Sequence, residues 1–296
     1  MTLESSNLKA PMAKSGFKSL FRPRRLRSAL FLAFLTVAAL VWILPLVWMF
    51  SLSVSANETL QSQTTSLLPV DFTIDNLLGV MQGGLTTRWL FNSLVVTSLT
   101  TGITLVLSAM AGYAFARIPF YGKKVVFPLV LAGLMVPREA MFIPLFLMFA
   151  EADIHNSYEA LILPRIAAPL GVFIMTQFMA AIPADIEEAA RVDGASRWVI
   201  FWRIMMPMSF PALTALGIFT YILTWNDFLW PLVSATQREM FTITTGLASL
   251  QGNFAQATEL GSLMARGVVA SLPLLILFLI FQKQLVRGIS IGSGGK

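Results

Sequence analysis

The stretch Ile182-Pro183-Ala184-Asp185-Ile186-Glu187-Glu188-Ala189-Ala190-Arg191-Val192-Asp193-Gly194, continued by Ala195-Ser196-Arg197-Trp198-Val199-Ile200-Phe201-Trp202-Arg203-Ile204-Met205-Met206-Pro207, sets the reading of this chain. It is a charged interruption between long apolar runs, and its residue types read as two short helices with a bend between them. Pro183 opens the first helix, because proline is tolerated in a first turn, where its missing N–H has no partner anyway. Asp185, Glu187 and Glu188 follow at once, where carboxylates suit the positive end of the helix dipole. Gly194 suits the left-handed residue that ends such a helix, and Ser196 suits the N-cap of the next. In that second helix Trp198, Phe201, Trp202 and Met205 recur at i, i+3, i+4 and i+7, with Arg197 and Arg203 between them. That spacing predicts an amphipathic helix lying on a membrane surface.

The runs on either side decide the class. Of 296 residues, 56% are hydrophobic and 12% charged, against about 25% charged in a soluble domain. The chain is read as an integral, all-α membrane protein, since lipid offers no partners to unpaired backbone groups and a helix satisfies its own. Six spans are predicted, at 30–54, 89–115, 125–149, 158–181, 208–232 and 266–285. The first is read as retained although Val54-Ser55-Ala56 resembles a cleavage site, because its apolar core exceeds the roughly 7–15 residues of a secretory signal. Residues 1–29 are then a basic tail, 30–285 the spanning domain with the loop 182–207, and 286–296 a second tail.

Within that frame, Thr73 is expected to cap a short helix carrying Asp75, Leu77, Leu78 and Met81 and ending at Gly83-Gly84. The second span places Ser93, Thr97, Thr101, Ser108 and Gly112 roughly on one side, where small residues let helices approach closely. The third is interrupted by Pro128, Pro137 and Pro144 and carries Arg138-Glu139 near its middle. A charge at the bilayer centre costs about 2.5–3.5 kcal/mol on insertion scales, so such residues face protein or water. Two readings of that pair weigh equally: the wall of a translocation pathway, and an ion pair or tether with no solute contact. Pro164, Arg165 and Pro169 lie in the outer half of the fourth span. The fifth closes on Trp225-Asn226-Asp227-Phe228-Leu229-Trp230-Pro231, with Trp225 and Trp230 suited to an interfacial aromatic belt. Asn226 and Asp227 either line the outer pathway or form a simple polar pair at a helix end. An outer segment at 233–262, with Gly246, Gln251-Gly252-Asn253 and Glu259, precedes the last span.

Charge fixes the orientation. Lys9, Lys14, Lys18, Arg22, Arg24, Arg25 and Arg27 precede the first span. Arg117, Lys123 and Lys124 follow the second, Arg191, Arg197 and Arg203 sit in the loop, and Lys283, Arg287 and Lys296 lie at the end. Six spans put all of these on one side and only Arg88 and Arg238 on the other. The positive-inside rule places the first group, and both termini, in the cytosol. The net charge of +6 therefore follows membrane orientation and is not a nucleic-acid signal. Without cysteine, disulfides, thiol catalysis and cysteine metal sites are excluded. The one histidine, His155, beside Asp153 and Glu151, is read as a solvated loop residue rather than a metal ligand. The ending Gly292-Ser293-Gly294-Gly295-Lys296 lacks the first glycine of a phosphate loop at the right spacing and the Ser or Thr after its lysine, so neither ATP nor another cofactor is expected.

The same central stretch resembles a known signature. Permease subunits of binding-protein-dependent ABC importers carry Glu-Ala-Ala, three residues, Gly, nine residues, Ile, one residue and Leu-Pro in a cytoplasmic loop. Here Glu188-Ala189-Ala190, Gly194, Ile204 and Pro207 match, with Met206 in place of the leucine. The strings Ala111-Gly112-Tyr113-Ala114-Phe115-Ala116-Arg117 and Trp225 to Pro231 are similar to the carbohydrate branch, in particular its smaller, maltose-type six-span subunit. The resemblance implies the type I importer permease fold and a multi-pass protein of the bacterial inner membrane that moves a sugar or related solute. It implies that residues 183–194 form a coupling helix docked on an ATPase, with Glu188, Ala189, Ala190, Asp193, Gly194, Ile204 and Pro207 as coupling residues. It further implies a homologous second permease, two ABC ATPase subunits and a periplasmic or lipid-anchored sugar-binding protein as partners, and no enzyme activity in this chain. Arg138, Glu139, Asn226 and Asp227 are the candidate pathway residues. The rival class is an ion-coupled carrier with Arg138, Glu139 and Asp227 as a charge relay; a membrane-embedded enzyme has no acid–base or metal constellation to support it.

Overall fold

The structure, a computed structural model, describes residues 23–60, 67–82, 84–251 and 259–293. The expectations for Lys9, Lys14, Lys18, Arg22, Gly83, Gly252-Asn253 and Gly294-Gly295-Lys296 lie outside the described residues. Apart from one antiparallel bridge between Ser55 and Phe72, the elements described are helices. The chain divides into two units, residues 1–48 and 49–296. The first holds most of α1 (Pro23–Ser53), which is apolar for 27 residues from Arg27 and carries Pro45 within it. About 20 apolar residues suffice to cross a bilayer.

The second unit takes in the end of α1 and then two short helices, α2 (Asn57–Leu60) and α3 (Asp75–Met81), held by a polar knot. Asn57 Nδ2 donates to Asn76 Oδ1 at 2.9 Å, and Asn76 Nδ2 donates to the Ser55 carbonyl at 2.8 Å. Thr73 does not cap α3 as expected: the N-cap position falls on Ile74, with no side-chain cap bond, and Thr73 Oγ1 only accepts from the Asp75 N–H at 3.1 Å. The long helix α4 (Leu85–Arg117) is the axis of the unit. Its Ser93, Thr97, Thr101, Ser108 and Gly112 are all buried, as their common side predicts. The helix it meets most closely is α8 (Pro169–Ala181). A Cβ on Gly112 would stand 2.6 Å from Met175 Cβ, so the crossing exists only because that side chain is absent.

The third predicted span is not one rod. It consists of α5 (Lys123–Ala132), a 3₁₀ turn at Arg138–Met141 and α6 (Phe142–Glu151). The break falls between Gly133 and Pro137, whose extended backbone (ψ 135°) cannot continue a helix. The fourth bends by 46° between α7 (Tyr158–Ile166) and α8. Ala167 and Ala168 are held out of the helical region there, as expected immediately before Pro169. The central stretch forms α9 (Ala184–Val192), α10 (Arg197–Ile200), a π-helical turn at Phe201–Met205 and α11 (Met206–Met208). A 74° bend at Ser209 leads into α12 (Phe210–Trp225). The fifth span thus ends at Trp225 and not at 232; α13 (Leu229–Ser234), a 3₁₀ turn at Arg238–Met240 and α14 (Ile243–Gln251) follow. The last helix, α15 (Leu260–Ser293), is longer than predicted at both ends.

Among the described residues three helices are long and apolar enough to cross a membrane: Arg27–Ser53, Leu85–Arg117 and Leu260–Gln284. The number rises to five if each bent pair is one span. Two further expectations are corrected by packing. Trp225 and Trp230 are 3% and 5% exposed and belong to the interior rather than to a lipid-facing belt. Trp230 donates from Nε1 to the Ala160 carbonyl at 2.8 Å and meets Phe142 and Phe149 edge-on, while Trp225 stacks on Tyr221. His155 is half-buried on the ring of Phe146, with Nε2 3.1 Å from the Phe146 carbonyl, not a solvated loop residue.

Candidate functional site

The joint between α8 and α9 is built from short-range rules. Ile182 and Pro183 are extended, and α9 starts directly after the proline. At its other end the Gly194 N–H bonds to the Arg191 carbonyl at 3.0 Å and the Ala195 N–H to the Ala190 carbonyl at 2.9 Å. Gly194 sits at φ +80°, the left-handed region that only glycine enters freely. Ser196 then caps α10, its Oγ accepting from the Val199 N–H at 3.3 Å.

One side of α9 faces the protein and the other is bare. Glu187 is 4% exposed, and Ala190 packs beside it against the core cluster of Met179, Ile182, Ile200, Phe201 and Met205. Glu188, Ala189 and Asp193 are exposed, and Val192 is 87% exposed. A buried carboxylate is costly unless paired, and Glu187 is paired three ways. Tyr113 Oη donates to its Oε1 at 3.1 Å, Arg191 Nη2 donates to the same oxygen at 2.5 Å, and Arg117 Nε lies 3.7 Å from Oε2. Arg117 Nη2 also donates to the carbonyls of Met179 (2.9 Å) and Ile182 at the end of α8. A guanidinium at a helix C-terminus satisfies carbonyls that have no partner within the helix. Glu187 and Arg117 were not among the sequence candidates. The i,i+4 spacing of Glu187 and Arg191 was a visible signal, but nothing local pointed to Arg117.

The second helix departs from its predicted single face. Phe201 and Met205 are buried at 2% and 1%, while Trp198 and Trp202 are 60% and 39% exposed. The π-helical turn adds a residue to the turn, so the i, i+3, i+4, i+7 set divides between core and surface. Ile204 is half-buried against the core and Pro207 is exposed.

The candidate pathway residues meet in part. Asp227, just past α12, forms an ion pair with Arg165 of α7, and its carbonyl accepts from Thr244 Oγ1 at 2.7 Å. Arg138 lies within electrostatic reach of both members of the pair. Glu139 is exposed and joins no ion pair among the described residues. Asn226 is exposed and turns back to the Ile222 carbonyl at 2.9 Å, an ordinary helix-end contact. No group of three or more His, Cys, Asp or Glu among the described residues is placed to hold a metal ion.

Residues 104–291 match the family model described as "Binding-protein-dependent transport system inner membrane component". The chain is 39% identical to the arabinooligosaccharides transport system permease protein AraQ of Bacillus subtilis (strain 168), over 76% of this chain and 80% of the relative. It is 33% identical to the trehalose transport system permease protein SugB of Mycobacterium tuberculosis, over 85% of this chain and 92% of the relative. Among solved structures it aligns with a chain of a bacterial ABC transporter involved in the import of the acidic polysaccharide alginate. That alignment has a TM-score of 0.78 and 21% identity, and covers 91% of this chain and 99% of the other.

Proposed function

This chain belongs to the family of binding-protein-dependent transport system inner membrane components, and from that premise we propose that it is the permease subunit of an ATP-driven sugar importer. It works with an extracytoplasmic binding protein that delivers the solute and with ATPase subunits that supply the energy. Relatives named for arabinooligosaccharides, trehalose and lactose support oligosaccharides as the solute class. The finer arrangement we propose is six spans with both termini cytosolic, paired with a homologous second permease, two ATPase subunits and a periplasmic or lipid-anchored binding protein.

The observation that carries the reading is the bare side of α9. A short helix held firmly on one side presents Glu188, Ala189 and Val192 outward on the other. Ala189 permits close approach, and Glu188 offers a charge-assisted hydrogen bond to a basic partner. Asp193 and Gly194 set the bend, and Ile204 and Pro207 fix the return to α12. Docked in a cleft on the ATPase, α9 acts as a lever. Closure of the ATPase dimer moves it, and the attached bundle rocks to alternate access. Arg138, Glu139, Asn226 and Asp227 are proposed to face the solute path at the opposite end of the bundle.

The test is affinity purification of the tagged chain in mild detergent from its native host, with mass identification of what accompanies it. An ATPase and a second permease are expected. The chain recovered alone, folded and stable, would contradict the subunit reading.

A further inference from the structure

Glu188 faces outward and can hold the ATPase, but a lever also needs an inner attachment. The joint Ile182-Pro183 is two extended residues through which no helical hydrogen-bond ladder continues, and Pro183 has no N–H to donate across it. Glu187 is the buried residue of α9, and its carboxylate meets Tyr113 and Arg117, both in the last turns of α4. Arg117 in turn holds the carbonyls of Met179 and Ile182, so a single guanidinium ties α4, the end of α8 and α9 together. Among the described residues Arg117 Nε has no hydrogen-bond partner, and it stands 3.7 Å from Glu187 Oε2. A shift of about 1 Å would bring that pair to charge-assisted hydrogen-bond distance. The contact is therefore poised to tighten when α9 is pushed toward α4, and to resist when α9 is pulled away.

We propose that Glu187 is a positioning residue for energy coupling: through Tyr113 and Arg117 it makes α4 and α8 move with the docked α9. This inference rests on the docking of α9 on an ATPase. With the tie intact, the ATPase dimer closes only by dragging the bundle, which restrains hydrolysis until the loaded binding protein favours the moved state. With the tie cut, α9 swings on Ile182-Pro183 and ATP is consumed without transport.

The experiment measures ATP hydrolysis by the complex purified through the tagged chain, with no binding protein and no solute added, per mole of ATPase recovered. Glu187→Gln keeps the side-chain shape and removes the charge. Tyr113→Phe keeps the ring contact with Phe201, centroids 5.5 Å apart, and removes only the donated hydrogen bond. Solute-independent hydrolysis is expected to rise about tenfold or more in each variant, since both remove a hydrogen bond to an ionised carboxylate. ATPase recovery stays at the wild-type level in both. A loss of packing alone would lower recovery and hydrolysis together. If Glu187→Gln does not accumulate, Tyr113→Phe decides by the same reading. Wild-type or lower hydrolysis at undiminished ATPase recovery overturns the proposal while leaving the docking of α9 intact. Absence of an ATPase beside the wild-type chain overturns the docking reading itself.

Discussion

Gly194 offers a graded test of the bend between α9 and α10. It sits at φ +80° with no atom of the described residues within 4 Å of where a Cβ would stand, so a substitution meets conformational strain and no steric clash among them. For Gly194→Ala the left-handed backbone costs about 1–2 kcal/mol. Asn enters that region more readily, so Gly194→Asn costs less. Gly194→Pro is of another kind. Proline is fixed near φ −65°, and it removes the N–H that bonds to the Arg191 carbonyl at 3.0 Å; the cost is about 3 kcal/mol or more. If the bent joint must be populated for α9 to dock, these costs appear as lost affinity for the ATPase. The expected loss is roughly 5- to 30-fold for Ala, less for Asn, and more than about 100-fold for Pro. Titration of purified ATPase onto the immobilised chain, each variant first shown to be inserted and monodisperse, measures it. The order Gly, Asn, Ala, Pro is the prediction. Equal affinity in all four, or Gly194→Pro binding as the wild type does, would refute the reasoning.

Other positions test the frame around the site. Gly112→Ala drives a Cβ to 2.6 Å from Met175 Cβ and 2.9 Å from its carbonyl carbon, and forcing α4 from α8 should cost about 1–3 kcal/mol; an unchanged melting temperature in detergent would show that the helices separate freely. Asp227→Asn leaves half-buried Arg165 without its countercharge and should destabilise by about 1.5–3 kcal/mol, while Arg165→Met combined with it should restore most of the loss; a single variant as stable as the wild type argues against a shielded pair. Asn156 Oδ1 accepts from the Thr236 and Gln237 N–H groups at 2.6 and 2.8 Å. Asn156→Ala removes both bonds at about 1 kcal/mol or more each, so amide exchange at Thr236 and Gln237 should accelerate at least about tenfold, and unchanged protection would contradict the contact.

What could be read in the sequence was local. Pro183, Gly194 and Ser196 mark the ends of α9 and α10 because end signals act over one to four residues; the structure places Gly194 and Ser196 in the expected roles, while Pro183 stands one residue outside the first turn, as the extended N-cap residue. The small side of α4 was equally legible, since Ser, Thr and Gly at helical spacing need no knowledge of the partner helix. Glu187 was not. Its burial depends on Tyr113, 74 positions earlier, and on Arg117, and sequence alone gives a run of two glutamates no inside or outside. The tryptophans near the end of α12 failed for a related reason. An aromatic residue at a helix end fits an interfacial belt and a packed interior equally well, and only the approach of α6 and α7 decides for Trp230. Arg165 and Asp227 were noted on separate spans, and their pairing is again a tertiary fact.

The central claim, a permease driven by a partner ATPase, is tested most directly by uptake into proteoliposomes containing the purified complex. Tritiated arabinotriose, trehalose, maltose and lactose are offered in turn with their binding protein outside and ATP inside. The account predicts accumulation of at least one of these sugars that requires both ATP and the binding protein and is indifferent to ion gradients. Uptake by this chain alone, without ATP and collapsing with a proton or sodium gradient, would contradict it.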